Sequence, residues 1–217
     1  IVCVMTDDFD LIEDMFSRLN EAAPLNSAEK RNAFGGDMVR AIREISNLKL
    51  FTEKVKFKNN RYQHFEIAAR YLLVETSNYE NSKLIDTKKV YLDSMAKKYK
   101  SGNTILVNNF RDTVKEVVDS MSKTFINQDY LLRTQGIMVV YYLLFKKALE
   151  KNVVINRIDL QNFDDLVKNN RLGAEKNYEG ADFDLLEFDR LAQYGTNDVS
   201  NIKEKFRILS EYLKLND

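Results

Sequence analysis

One proline in 217 residues, and only seven glycines, leave this chain few places where a helix is forced to stop. Proline lacks the backbone N–H and clashes with the preceding turn, and glycine costs about 1 kcal/mol inside a helix. A chain poor in both favours long helices on short connections, and not a turn-rich sandwich or barrel. The proline, Pro24, lies between two helical patterns. Before it, Phe9, Ile12, Phe16 and Leu19 recur at spacings of three and four, one face of a helix over about Asp8 to Asn20. Asp7 and Asp8 suit the positive end of its dipole. Pro24 then disfavours helical geometry at Ala23, so this helix ends by Asn20 or Glu21. Beyond the proline, Asn26 and Glu29 have the spacing of a capping box, which opens a second helix over about Ser27 to Ser46. Gly35-Gly36 inside it predicts either a break or the close approach of another backbone.

The remainder reads the same way. Residues 47–60 are a lysine-bearing loop or short helix, followed by helices over about Tyr62–Glu75, Asp86–Lys100 and Thr104–Phe125. Val90, Tyr91, Met95 and Tyr99 form the inward stripe of the fourth helix; Phe110, Val114, Val117, Val118 and Met121 belong to that of the fifth. Asp129 caps a sixth helix reaching about Glu150, apolar nearly all round from Ile137 to Leu144 and therefore central. Three shorter helices follow, over about Asp159–Asn169, Asp182–Gln193 and Asp198–Leu213. Residues 1–6 are β-branched and apolar, a short strand with no second strand to pair with. The fold class expected is all-α, a multi-helix bundle of about eight or nine helices with one short N-terminal strand.

Charge and composition exclude several functions. With 33 basic and 33 acidic residues the net charge is zero, so no global field draws nucleic acid and any contact needs a local patch. One cysteine, Cys3, makes no internal disulfide and fits a cytoplasmic location. One cysteine and one histidine cannot build a Cys/His zinc site, so no metal is expected. The longest apolar run, Gly136 to Phe145, is far short of a membrane span. Phosphate-loop, dinucleotide and zinc-hydrolase motifs are absent.

The run Phe16-x-Arg18-Leu19-Asn20, a short gap, Pro24-Leu25-Asn26 and then Glu29-x-Arg31-Asn32-Ala33 resembles a motif of the GmrSD-type family. These prokaryotic proteins carry a ParB-like (sulfiredoxin-fold) N-terminal domain and are components of anti-phage restriction systems. The likeness covers roughly residues 1–75, where Arg61, Glu66 and Arg70 fall into the same pattern, and returns faintly at Gly195-Thr196-Asn197-Asp198. It implies that residues 1–46 are the end of the ParB-like domain with its connecting helices, and 47–217 a helical domain. The family's Asp-Gly-Gln-Gln-Arg-like run does not occur here, nor does the His-Asn-His arrangement of the nuclease domain that often accompanies it. The resemblance therefore implies a non-catalytic helical module of an NTP-dependent anti-phage protein acting on foreign DNA. NTP with magnesium would belong to a longer protein of which this chain, beginning at Ile1, is a fragment.

The elbow residues Arg18, Asn20, Glu29, Arg31 and Asn32 are the candidates for contact with a nucleotide or a partner; arginine's planar fork suits phosphate. Read blandly, Asn26 and Glu29 cap the helix and the arginines pair with nearby acids. Lys54, Lys56, Lys58 and Arg61, with Lys49, Phe51, Phe57 and Tyr62 interleaved, are the candidate nucleic-acid surface, against the bland reading of a solvated loop. His64 lacks an orienting acid on its own face and reads as structural. Glu66 and Arg70 have the spacing of a helical ion pair. The lysines at 97, 98, 100, 146 and 147 suit helix C-termini, and the acids at 182, 184, 187 and 189 the start of a helix. No catalytic residue is assigned. Two alternatives remain: a complete NTPase or nuclease built on Arg18, Asn20, Glu29 and Arg31, and a helical scaffold for homo-oligomers or a partner subunit with an exposed apolar patch.

Overall fold

The computed structural model describes residues 5–8, 10–12, 15, 24–176 and 180–215. Nine α-helices from Ser27 on, helical residues 10–12 and 15 before them, and no strand occur among those residues, which bears out the all-α bundle. The expected strand falls mainly on residues 1–4, outside the described residues; Met5 and Thr6 are not in a strand. Of the first predicted helix the start is described: Asp8 Oδ1 accepts from the N–H groups of Asp10 (3.0 Å) and Leu11 (3.2 Å). Its predicted end lies outside the described residues.

The second predicted helix is two. α1 (Ser27–Asn32) and α2 (Gly36–Ser46) part at Gly35-Gly36, both at positive φ, +66° and +89°. Both expected causes operate together. The N–H groups of Asp37 and Met38 donate to Lys100 O (2.9 Å) and Tyr99 O (3.3 Å), and a Cβ on Gly36 would lie 2.3 Å from Lys100 O. A single π-turn (Leu50–Lys54) follows, then a 3-10 turn (Asn60–Tyr62) leading into α3 (Gln63–Asn81), which runs six residues beyond its predicted end.

α4 (Lys89–Lys98) starts later than predicted and faces inward through Leu92, Met95, Ala96 and the following Tyr99. Val90 and Tyr91, expected on its stripe, are exposed. α5 (Thr104–Thr124) matches its prediction and buries Phe110, Val114, Val117, Val118 and Met121. The sixth predicted helix does not begin at Asp129. That residue caps a 3-10 turn (Tyr130–Leu132), a second such turn follows (Gln135–Ile137), and α6 (Met138–Glu150) starts only then. The reason is local. Asp129 is buried and accepts from the N–H groups of Ile126 and Leu131 and from Arg157, which binds the side chain to a loop and not to a long helix.

α7 (Arg157–Ala174), α8 (Phe183–Gln193) and α9 (Val199–Tyr212) complete the chain. α3 is the spine, packed against α2, α4, α5 and α6; α9 packs on α6, and α7 and α8 pair with each other. Buried apolar residues from Ala28 to Leu215 form one cluster. Within it Tyr71 and Tyr142 stack at 4.4 Å, and the buried Glu75 carboxylate accepts from Tyr142 Oη (2.5 Å) and Lys146 Nζ (2.6 Å). Lys146 thus does more than offset a helix dipole. Among the described residues no helix is long and apolar enough to cross a membrane.

Candidate functional site

α1 is held at its start by the predicted capping box. Asn26 Oδ1 accepts from Glu29 N at 2.9 Å and Glu29 Oε2 accepts from Asn26 N at 2.7 Å. The same Glu29 carboxylate receives Arg61 in a fork, Nε to Oε1 at 3.1 Å and Nη2 to Oε2 at 2.9 Å. Arg61 also donates to Pro24 O (2.5 Å), and its own carbonyl accepts from Asn26 Nδ2 (2.9 Å). Arg61 and Tyr62 hold left-handed φ, +53° and +64°, so the turn before α3 is bent to meet α1. The Arg61 guanidinium and the Asn26 N–H together hold the Glu29 carboxyl below its usual range.

One turn on, Arg31 is fully buried. Its Nη1 donates to Glu66 Oε2 on α3 (2.7 Å) and its Nε to Asp93 Oδ1 on α4 (3.0 Å). Glu66 Oε1 faces Arg70 Nη2 at 3.6 Å, and Lys89 lies 3.8 Å from Asp93. Arg70 is buried as well; desolvation pulls its pKa down against the opposing pull of Glu66, and its Nε has no hydrogen-bond partner. Three helices thus meet through a chain of alternating charge: Arg61–Glu29 outside, then Arg31 between Glu66 and Asp93, then Arg70. A shallow pocket of about 230 Å³ opens above it, lined by residues that include Asn26, Arg61, Gln63, Glu66 and Gln135.

Next to Gln135, the Gly136 backbone meets the 194–198 loop, where an added Cβ would touch Thr196 Cγ2 at 2.8 Å. That loop is tied back to the start of α4. Thr87 N donates to Asn197 O (2.9 Å), and Lys88 pairs with Asp86 (3.0 Å) and Asp198. Residues 24–32 and 61–70 are thus joined by ion pairs, and 195–198 are tied to residues 86–88 before α4.

The sequence candidates divide sharply. Glu29, Arg31 and Arg61 are in this node. Asn32 is not free for a ligand: its Oδ1 and its carbonyl accept from Arg43 of α2 at 2.7 and 3.0 Å. Arg18 and Asn20 lie outside the described residues. Lys54, Lys56 and Lys58 lie on another surface, half-buried or exposed. The aromatics expected to join them face inward: Phe51 is buried and Phe57 packs on His64, whereas Tyr62 is exposed. His64 itself is a core residue, set between Phe51 and Phe57 with its ring nitrogen 3.4 Å from Phe57 O, and burial pushes its pKa down.

The acids at 182–189 are all engaged, Asp182 as a cap and the others with Arg207, Arg190 and Arg171. No cluster of His, Cys, Asp or Glu suited to a metal occurs among the described residues. Sequence reasoning missed Asp93 as the second partner of Arg31, and it missed Tyr130, which stands beside Lys56. Neither has a local signal, because each acts across 62 or more residues of chain. Comparison with protein-family models, with curated proteins and with solved structures finds no match to this chain.

Proposed function

We propose that this chain is the helical module of a GmrSD-like, NTP-dependent anti-phage or restriction protein acting on foreign DNA, and that it is itself non-catalytic. Its 24–32 elbow is the seat from which a nucleotide-handling domain is positioned. One observation supports this reading: of the residues in which the resemblance resides, Glu29, Arg31, Arg61, Glu66 and Arg70 are one another's partners in space. Glu29 takes Arg61, and Arg31 takes Glu66, which also faces Arg70. A motif used for phosphate chemistry would leave its arginines open. Here Arg31 has no exposed surface and two carboxylates beside it, so its role is to hold α1 on α3 and α4. The 49–62 segment is the surface offered to DNA or a partner subunit, and the setting is the cytoplasm.

Two measurements test the proposal. The purified chain with magnesium and ATP or GTP should show neither turnover nor saturable binding; turnover by this chain alone would overturn the non-catalytic assignment. The natural gene, expressed in a host challenged with phage, should lower plating efficiency, and Glu29→Ala with Arg61→Ala should abolish that protection without unfolding the protein. Absence of any protection would remove the defence role.

A scaffold is the second reading, favoured by a strip of exposed apolar side chains, Ile126, Val153, Val154 and Ile158. Their loops are tied together through Thr124 Oγ1 to Ile155 O and Arg157 to Asp129. Sedimentation equilibrium separates the two: a stable homo-oligomer broken by Val154→Asp supports the scaffold.

A further inference from the structure

The lysines at 54, 56 and 58 stand on a frame. The π-turn Leu50–Lys54 is a rare form of helix, frequent at functional sites. From it the chain is laced to the 126–132 loop by backbone hydrogen bonds. Gln128 N donates to Glu53 O (2.9 Å), Asp129 N to Lys54 O (2.8 Å) and Lys56 N to Leu132 O (3.1 Å). Burial alternates along it: Val55 is buried and Phe57 packs on the core, which turns Lys54, Lys56 and Lys58 outward.

Two of the three are further held in place. Lys54 Nζ donates to Asn127 Oδ1 at 2.7 Å, and Lys56 Nζ lies 5.3 Å from the centre of the Tyr130 ring. The same ring carries the Arg133 guanidinium at 4.2 Å and is itself 54% exposed. Tyr130 is thus a post that gathers two cations from different parts of the sequence, an arrangement that lowers the cost of ordering them for a ligand.

Over residues 49–58 four lysines face a single acid. Arg61 is matched by Glu29, Arg133 by Asp164 and Arg157 by Asp129. Lys49, Lys54, Lys56 and Lys58 have no carboxylate within ion-pair distance among the described residues, and Glu53 is the one acid in the stretch 49–58. In a chain of zero net charge, a local excess of unpaired ammonium groups on an ordered backbone is the footprint of a polyanion.

We infer that Lys54, Lys56 and Lys58, gathered beside Tyr130, bind the phosphate backbone of nucleic acid. This rests on the module reading for its biological meaning, since it names the partner of the 49–62 segment, but its test is independent of that reading. The surface recognises phosphate and not sequence: its lysines are point charges for the backbone, and the exposed Tyr130 ring would stack on any base alike.

The test is fluorescence anisotropy of the 217-residue chain with a labelled DNA oligonucleotide, single-stranded and as a duplex, between 50 and 200 mM salt. Three phosphate contacts would lower duplex affinity about 40-fold over that range, and single-strand affinity about 20-fold. The triple variant Lys54→Gln/Lys56→Gln/Lys58→Gln should lose at least about ten-fold in affinity at the lower salt and most of the salt dependence. Tyr130→Phe should bind like the parent, whereas Tyr130→Ala should weaken binding about three-fold. Lys97→Gln/Lys98→Gln, on the far end of α4, should change nothing.

The inference is overturned if the parent does not bind at the lower salt, or if the triple variant keeps the same slope. It is also overturned if the chain prefers vesicles of anionic lipid to either oligonucleotide. An absence of phage protection, or NTP turnover by the chain, would defeat the module reading and leave these titrations as they are. A failed titration would leave the Arg31 node untouched.

Discussion

Arg31, in the short helix α1, and Lys56, just after the π-turn, are both cations, and the molecule treats them in opposite ways. Arg31 is withdrawn from water altogether and held by Glu66 and Asp93. Lys56 stays exposed on the face of Tyr130 with no acid beside it. The difference lies in what each charge can still do. A buried charge is tolerable only when paired, and once paired it is spent on joining helices. An exposed, unpaired charge adds little to stability, but its full field is available to a ligand. The node is therefore a structural region, and the lysine surface is the one for which a ligand is proposed.

The comparison breaks most visibly at Arg31. Arg31→Leu would strand Glu66 and Asp93 in a partly buried site and should cost about 3–5 kcal/mol, read as a fall in the urea midpoint. If the loss is under about 1 kcal/mol, the node is not structural. Gly36→Ala comes next, since its Cβ would meet Lys100 O just beyond α4, the helix that carries Asp93. With φ at +89° the expected loss is about 1–3 kcal/mol. Its effect should be less than additive with Arg31→Leu, because both loosen the same helix.

Lys205 sharpens the contrast as a third kind of cation. It is fully buried on α9, donates to Gly136 O at 3.1 Å, and burial pushes its pKa down to about 8. Between that value and 10.5 the unfolded chain holds a proton that the folded chain lacks, so stability rises with pH. The gain should be roughly 1 kcal/mol from pH 7 to 9, measured by urea unfolding, and Lys205→Met should flatten it. Above about pH 10 the trend reverses. Tyr71, Tyr141 and Tyr142, whose pKa values burial pushes up, then keep protons that the unfolded chain loses. The smallest effect belongs to the surface: Lys54→Gln/Lys56→Gln/Lys58→Gln should leave stability within about 0.5 kcal/mol of the parent.

Much of the fold was legible locally. The Asn26/Glu29 capping box, the helix over 104–124 and the break at Gly35-Gly36 all depend on neighbours within a few residues, although the backbone that approaches Gly36 is that of Lys100. The expectations that failed depended on distant ones. A helix from Asp129 was a fair local inference, yet Arg157 claims that carboxylate from 28 residues away. The stripe through Val90 and Tyr91 had the correct period and the wrong phase, because the inward face of α4 is chosen by α2 and α3. Of the candidate site, the residue types were visible in the sequence but not their states. Nothing near Arg31 marks Asp93 as its partner, and nothing near Lys56 marks Tyr130.

By itself, then, the sequence determined the class of the fold and most helix ends. Proline and glycine scarcity, apolar spacing and capping residues act within one or two turns, where backbone geometry leaves few choices. Only the tertiary structure decided which charges would cancel. With 33 cations and 33 anions many pairings are open to the chain, and a pairing acquires its strength from desolvation, which exists only once the helices have closed around it. That closure placed Arg31 between two acids and left the lysines at 54, 56 and 58 with none.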